Sequence, residues 1–220
     1  MKRNSLLGAA LAVAVVSAPA FADMYHDDES PTGRPMVFAS GGGNSSLIKL
    51  RESDASSLDT GFRNTQFQTG YNFGGGLGLQ LTRFAALRAT YNFARSQGER
   101  NAFSPFSGNY FNRHYYGGDL QLRTGGSGFV PYVTVGGGAV TIVPDSSAVL
   151  LSPSGARFSN DSFTKPAARA SLGFDYQFPG SGFGLYAEGS GWAYKWDRYG
   201  FDRTQLDTNW GAGLTYRFGY

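Results

Sequence analysis

The sequence predicts an all-β protein, an eight-stranded antiparallel up-and-down transmembrane β-barrel with short periplasmic turns and long extracellular loops. Three observations support this fold class: an N-terminal export signal, a final segment that alternates without a break, and connections that alternate between long and short. The composition agrees, because glycine is about twice as frequent as usual while charged residues make up only 16%. Such a profile is typical of a strand-rich chain with close backbone contacts.

The first 22 residues carry the three parts of a secretory signal peptide. Lys2 and Arg3 form a positive start, Leu6 to Val16 is apolar, and Ala20 to Ala22 is a small-x-small cleavage pattern. The apolar stretch is too short to span a bilayer as a helix. We therefore expect export, with cleavage after Ala22.

The rest of the chain divides into a lead-in and a barrel. Residues 23–35 are acidic and contain two prolines, which predicts a short periplasmic lead-in, and residues 36–220 are predicted to form the barrel. No later apolar run reaches the length of a membrane-spanning helix. An exported chain of this kind is either soluble or crosses the outer membrane as a barrel, and the strand pattern favours the bacterial outer membrane.

The segment from Leu206 to Tyr220 alternates apolar residues with polar or very small ones. A period of two indicates a strand, and this strand is about twice the usual length of five or six residues. Its length suits a tilted bilayer crossing, in which aromatic side chains mark the membrane interfaces. The predicted interface aromatics are Phe178, Phe183, Trp196, Trp210, Tyr216, Phe218 and Tyr220.

Seven earlier segments are predicted as strands, and the connections between strands separate by length. The short ones are Arg83 to Ala86, Thr124 to Gly128 and Pro179 to Gly182. The long ones are Asn44 to Asn64, Gly98 to Asn112, Val143 to Phe163 and Asp197 to Gln205. A soluble β-sandwich also alternates, but it has no reason to place all short turns at one end. The first predicted strand, from Met36, alternates too poorly for its inward face to be assigned.

Several strand motifs resemble those of the OmpA/OmpX-type eight-stranded outer-membrane barrels, a porin-like superfamily. They are TGYNFGGGLGL from Thr69, LRATY from Leu87, LYAE from Leu185 and GAGLTYRF from Gly211. The resemblance implies insertion by the barrel-assembly machinery, which reads a terminal aromatic residue, here Phe218 or Tyr220. It also implies contact with outer-membrane lipid and lipopolysaccharide. Such motifs specify architecture and hardly any activity.

An eight-stranded barrel has an interior just wide enough for side chains. The inward positions carry four basic and four acidic residues: Arg88, Arg123, Arg169, Arg217, Asp119, Asp175, Glu188 and Asp207. Because an isolated buried charge costs several kcal/mol, we expect an ion-pair network that plugs the lumen. Arg169 and Asp207 lie higher and are expected to pair across the closing strands. The alternative is that Asp119 and Glu188 form an acid/base pair or a proton path.

Motifs for other chemistry are weak. The glycine-rich stretch from Gly74 lacks the Lys-Ser/Thr and the helix of a phosphate loop. Neither His26 nor His114 has an adjacent serine of the kind that lipid A deacylase barrels use, although a triad assembled from loops stays open. There is no cysteine and no clustered metal-ligand set. We expect no catalytic residue, no metal and no cofactor. A charge near +1 after leader removal also argues against nucleic-acid binding.

The predicted function is that of a monomeric, non-catalytic barrel that stabilises the envelope or presents loops for adhesion to surfaces or host molecules. Aromatic and aliphatic residues in the second and third long loops, such as Phe103, Phe111, Leu150 and Phe163, suit either the outer lipid interface or an adhesive patch. A narrow channel or hydrophobic-solute conduit is the first alternative, and a lipid A-modifying enzyme is the second.

Overall fold

The computed structural model describes residues 33–47, 67–98, 108–124, 128–145, 161–198 and 202–219. These residues form one closed antiparallel barrel in which β8 pairs with β1. The strands are β1 (Arg34–Ser46), β2 (Gly70–Gln80), β3 (Ala85–Gln97), β4 (Tyr110–Arg123), β5 (Phe129–Pro144), β6 (Phe163–Gln177), β7 (Phe183–Trp196) and β8 (Arg203–Arg217). The predicted fold class, eight antiparallel strands joined up and down, is confirmed.

The strands are longer than a bilayer crossing requires. They run from 11 residues in β2 to 16 in β5, whereas roughly ten tilted residues span the hydrocarbon. The extra length lies mainly at the end of the barrel that carries the long connections. We call this the loop end, and we call the opposite end, which carries the short connections, the turn end. As a result, β1 starts before Met36 and continues past Asn44, where a loop was predicted. The signal peptide, most of the lead-in, parts of all four long connections and residues 125–127 lie outside the described residues.

Every strand separates its residues between two faces, and the barrel is polar inside and apolar outside. In β8, Asp207, Asn209 and Arg217 are buried, whereas Trp210 and Leu214 are exposed on the outer wall. The same alternation assigns the face of β1 that the sequence left open. Its buried inward residues are Met36, Asn44 and Ser46. An outer wall of exposed Leu, Phe, Tyr and Val side chains is the inverse of a water-soluble barrel.

Local chemistry fixes the turns at the turn end. Between β2 and β3, the Thr82 hydroxyl accepts hydrogen bonds from the backbone N–H groups of Phe84 and Ala85, at 3.1 and 3.0 Å. Gly180, between β6 and β7, has a φ of 66°, a left-handed conformation that glycine adopts without steric cost. Among the described residues, no helix is long and apolar enough to cross a membrane.

Candidate functional site: the barrel lumen

The eight charged residues predicted to face inward all project into the lumen. Their side chains keep 10% or less of their surface exposed wherever they form an ion pair. The strand alternation positions them, because each lies on the face opposite to an apolar outer residue. They divide into groups at different heights.

The middle charged layer consists of Arg88, Asp119, Arg169 and Glu188. Glu188 on β7 bridges two arginines, since Arg88 Nη1 lies 2.8 Å from its Oε2 and Arg169 bonds to its Oε1. Arg169 also bonds to Asp119, so the layer contains two positive and two negative groups. The ring of Phe38 lies 4.4 Å below the Arg88 guanidinium and adds a cation–π contact.

A tyrosine completes this layer. The Tyr132 hydroxyl donates a hydrogen bond to Glu188 Oε2 at 3.0 Å. Gly173, beside Glu188 in the sheet, makes this reach possible, because a β-carbon there would lie 2.5 Å from the Tyr132 ring. The inward glycine is therefore required by a close approach, as expected of glycines inside strands.

The lower charged layer lies nearer the turn end. Asp175 on β6 bonds to Arg217 on β8, and its Oδ2 is 3.9 Å from Arg123 Nη2 on β4. All three side chains are buried. This layer connects strands on opposite sides of the barrel and fills its narrow lower end.

Asp207 lies near the loop end, and the predicted pairing of Asp207 with Arg169 is wrong. Arg169 pairs with Asp119 and Glu188 instead, and the basic neighbour of Asp207 is Arg113, at 3.6 Å. Asp207 is fully buried and accepts four hydrogen bonds of 2.6 to 3.0 Å. The donors are Tyr115, Tyr194, Ser46 and Gln205.

Arg113 was not predicted as a lumen residue because the long connection was expected to run to Asn112, whereas β4 already begins at Tyr110. Extending the alternation back from Asp119 would have placed Arg113 inside. With Arg113 included, the described lumen has five arginines, Arg88, Arg113, Arg123, Arg169 and Arg217, against four acids. The predicted equal count of charges is wrong by this one residue.

An aromatic core fills the lumen at the loop end. Its buried members are Phe67, Ala94, Phe111, Tyr115, Val140, Ile142, Phe163, Ala167, Trp192, Tyr194 and Trp196. Ring centroids lie 5.3 Å apart for Phe67 and Phe111 and for Phe163 and Trp196, which is the usual range for aromatic pairs. Phe111 and Phe163, predicted as loop residues, belong to strands β4 and β6 and face inward.

Trp196 was predicted at the membrane interface, and this assignment is wrong. Its side chain is completely buried in the aromatic core. The physical reason is parity, because Trp196 shares the inward face of β7 with Glu188 and Trp192. Of the other predicted interface aromatics, Tyr216 is half-buried and four are exposed outside: Phe178, Phe183, Trp210 and Phe218. Tyr220 lies outside the described residues.

His114 is on the outer wall and not in the lumen. Its Nδ1 is hydrogen-bonded to the Tyr91 hydroxyl at 2.8 Å, and its ring packs against Phe93 at 5.3 Å. His26 lies outside the described residues. Within the described ranges, no three His, Cys, Asp or Glu side chains are grouped to hold a metal ion.

Ion pairs also occur at the rim of the loop end, where the solvent reaches them. Lys165 Nζ lies 2.6 Å from Asp197, just past the end of β7. The hydrogen bond from Lys165 lowers the pKa of the Asp197 carboxyl. Exposed pairs of this kind contribute little to stability.

Comparison with solved structures identifies the architecture. The structure superposes on the Neisserial surface protein A with a TM-score of 0.54 and 12% identity, over 87% of this chain and all of that one. The chain has the fold of an eight-stranded outer-membrane barrel. This fold confirms the resemblance to OmpA/OmpX-type barrels at the level of architecture.

Two weaker matches to outer-membrane proteins come from Pseudomonas aeruginosa. The N-terminal barrel domain of OprF matches at 17% identity with a TM-score of 0.49, covering 85% of this chain and 98% of that one. OprG matches at 14% identity with the same TM-score, covering 86% and 97%. No family model and no curated protein sequence matches this chain.

Proposed function

We propose that this chain is an exported outer-membrane protein whose barrel is closed, neither conducts nor catalyses, and serves to stabilise the envelope or to present its long loops for adhesion. The observation that carries the proposal is the filling of the lumen at three heights. Two charged layers occupy the turn end and the middle, and an aromatic core occupies the loop end. A solute would have to displace both kinds of filling.

The chemistry of the lumen also favours a structural role. Glu188 and Asp119 share Arg169, so each carboxylate already has a charged partner in the folded protein. A general acid or base needs access to a substrate, whereas the Asp119 and Glu188 side chains keep no more than 10% of their surface exposed. The same pairing argues against a proton path, because paired charges in a protein interior resist a change of charge.

The outer wall supports placement in a membrane. Exposed aliphatic and aromatic side chains surround the barrel, among them Leu77, Val135, Phe174 and Leu214, and aromatic side chains lie towards the turn end at Phe183 and Phe218. These features suit outer-membrane lipid and lipopolysaccharide as surroundings. A monomer agrees with the closed sheet, which leaves no strand edge to pair. The export signal and insertion by the barrel-assembly machinery are part of the proposal.

Conductance separates a closed barrel from a channel. Refolded protein in planar bilayers is expected to give no steady conductance above that of protein-free bilayers. A stable, selective conductance would overturn the closed barrel.

In parallel, lipid A extracted from cells with and without the protein is expected to have the same mass spectrum. A change in acyl chains or phosphate groups would support the enzymatic alternative instead.

Adhesion is tested on whole cells. Cells that produce the protein are expected to bind extracellular matrix or abiotic surfaces more than cells without it, and to lose that gain when residues 148–158 are replaced by a Gly-Ser linker. The matched control replaces the short turn 179–182 with an equally flexible turn. If neither producing cells nor their variants differ in binding, the role reduces to envelope stability, which is read as detergent sensitivity of the same strains.

Orientation is tested with single cysteines, since the chain has none of its own. Ser162 lies exposed beside β6 at the loop end, and Ser181 lies in the β6–β7 turn at the turn end. An impermeant maleimide applied to intact cells is expected to label Ser162→Cys and to spare Ser181→Cys until the cells are lysed. The reverse pattern would invert the proposed topology.

A further inference from the structure

A polar cavity lies in the lumen between the middle charged layer and the aromatic core. It has a volume of about 40 Å³, and its lining includes Asn72, Asn92, Asn209 and Ser190. Trp192 borders it on the side of the aromatic core, and Phe38 and Arg88 border it on the other. A cavity of this size has room for about three water molecules, at 10–15 Å³ for each.

Asparagines occur on four neighbouring strands at this height. Asn209 on β8 is opposite Asn44 on β1, and Asn72 and Asn92 follow on β2 and β3. The side chains of Asn44, Asn72 and Asn209 are at least nine-tenths buried. The strand alternation directs all four amides inward, so that uncharged polar groups face the cavity beside the charged side chains of Arg88, Arg169 and Glu188.

Some of these amides are satisfied by the protein. Asn72 Nδ2 donates to the backbone carbonyls of Gly43 and Trp210, and Asn92 Nδ2 donates to Asn72 Oδ1 at 3.4 Å. Others are not. Asn92 Oδ1 and both amide atoms of Asn209 have no hydrogen-bond partner among the described residues, and the same holds for both amide atoms of Asn44. A buried polar atom left in this state costs about 1–3 kcal/mol.

The unsatisfied atoms identify the ligand class. Asn209 offers one donor group and one acceptor, and Asn92 offers a further acceptor. A halide ion would satisfy only donors, and a hard cation only oxygens. Arg88, Arg169 and Glu188 line the cavity, and Asp119 pairs with Arg169 from outside the lining, so the charges of this layer cancel and favour neither kind of ion. Water both donates and accepts, and it fits the volume.

We propose that this cavity is a specific hydration site, which holds a fixed cluster of about three water molecules between Asn92, Asn209 and Ser190. The interior of the barrel then consists of charged layers, a bound water cluster and an aromatic core, in that order from the turn end. The waters complete the hydrogen bonds of the asparagines. The inference does not depend on the role of the loops or on adhesion.

A high-resolution crystal structure of the refolded protein, grown with sodium bromide, tests the site directly. Ordered waters are expected at about 2.7–3.2 Å from Asn92 and Asn209, without an anomalous bromide signal in the cavity. A bromide peak there, or a side chain that fills the space, would overturn the proposal. Asn209→Leu is expected to lose at least one of the waters, whereas Thr208→Val, the next residue and on the outer wall, is expected to keep all of them.

A solution measurement on the unmodified sequence covers the case in which Asn209→Leu fails to refold. In nitrogen-15-labelled protein in detergent micelles, the side-chain amide protons of Asn209 are expected to show a cross-peak to water with the negative sign of a long-lived bound molecule. The exposed side-chain amide of Gln68, near the loop end, serves as the control for fast exchange with solvent. Cross-peaks from Asn209 to protein atoms alone would refute the hydration site.

Discussion

The middle and the loop end of the lumen are filled by different kinds of side chain. In the middle, Glu188 holds Arg88 and Arg169, and the contacts are specific bonds between opposite charges. At the loop end, Trp196 contacts Phe67, Phe111 and Phe163 through ring faces and edges. Both regions close the barrel. The stability of the charged layer depends on the presence of every partner, whereas that of the aromatic core depends on the total apolar area that is buried.

This difference has an energetic meaning. Burial of aromatic surface stabilises a fold at about 25 cal/mol per Å², without regard to which ring meets which. A buried ion pair is close to neutral overall, because desolvation of the charges offsets their attraction, yet removal of one partner is costly. We therefore expect the aromatic core to contribute stability and the charged layers to select a single arrangement of the strands around them. Four experiments test this contrast.

The largest expected effect is at Glu188. Glu188→Gln keeps the shape but leaves Arg88 and Arg169 without their shared carboxylate, so the free energy of unfolding should fall by about 3–5 kcal/mol. Urea unfolding in detergent micelles or lipid vesicles measures the change. The double variant Arg88→Met, Glu188→Gln should lose less than the sum of the two single variants. If Glu188→Gln alters ion selectivity and leaves stability unchanged, the lumen is a channel.

Removal of a ring tests the aromatic core. Trp196→Ala should lower the free energy of unfolding by about 3–5 kcal/mol, through lost burial and the cavity left behind. The matched control is Trp210→Ala, since Trp210 is 45% exposed on the outer wall and should cost much less. Bilayer recordings on Trp196→Ala should stay silent, because the charged layers still close the barrel. Open-channel currents would mean that the aromatic core alone is the barrier.

A charge on the outer wall tests the inside-out arrangement. Leu214 is 58% exposed on β8, and Leu214→Arg should destabilise the barrel by about 2–4 kcal/mol if that position lies near the bilayer midplane. Thr215→Ser, the next residue and on the inner face, should change stability by less than about 0.5 kcal/mol. Both are measured by urea unfolding in lipid vesicles. Equal tolerance of the two changes would contradict the assigned faces.

The smallest effect is expected at the solvent-exposed rim. Because the pKa of Asp197 is lowered by Lys165, the pair should stabilise the fold above the unfolded pKa of about 4, and this contribution is lost as pH falls through the lower folded pKa. Asp197→Asn should cost no more than about 1 kcal/mol at neutral pH and nothing in strong acid. The free energies of unfolding of the two proteins, measured across that pH range, should converge in acid. A difference that stays constant with pH would exclude the Lys165–Asp197 pair as its cause.

The sequence predicted the strands and most of their faces, because a period of two is a local property that survives without tertiary information. The prediction from sequence failed where a strand had no clearly apolar outer face. The inward face of β1 could not be assigned, since glycines occupy positions 41 to 43 on both of its faces. The early part of β4 was also missed, because Asn112 and His114 interrupt its apolar outer face.

The sequence by itself determined that this chain is a long-stranded barrel with charges inside, because strand alternation and connection length follow directly from the order of residues. Only the tertiary structure decided which charges meet. Arg169 and Asp119 are 50 residues apart and become neighbours through the closure and stagger of the barrel, which no local pattern specifies. The same closure brings Phe67, Phe111, Phe163 and Trp196 together from four separate segments and sets the asparagines of β8, β2 and β3 around one cavity.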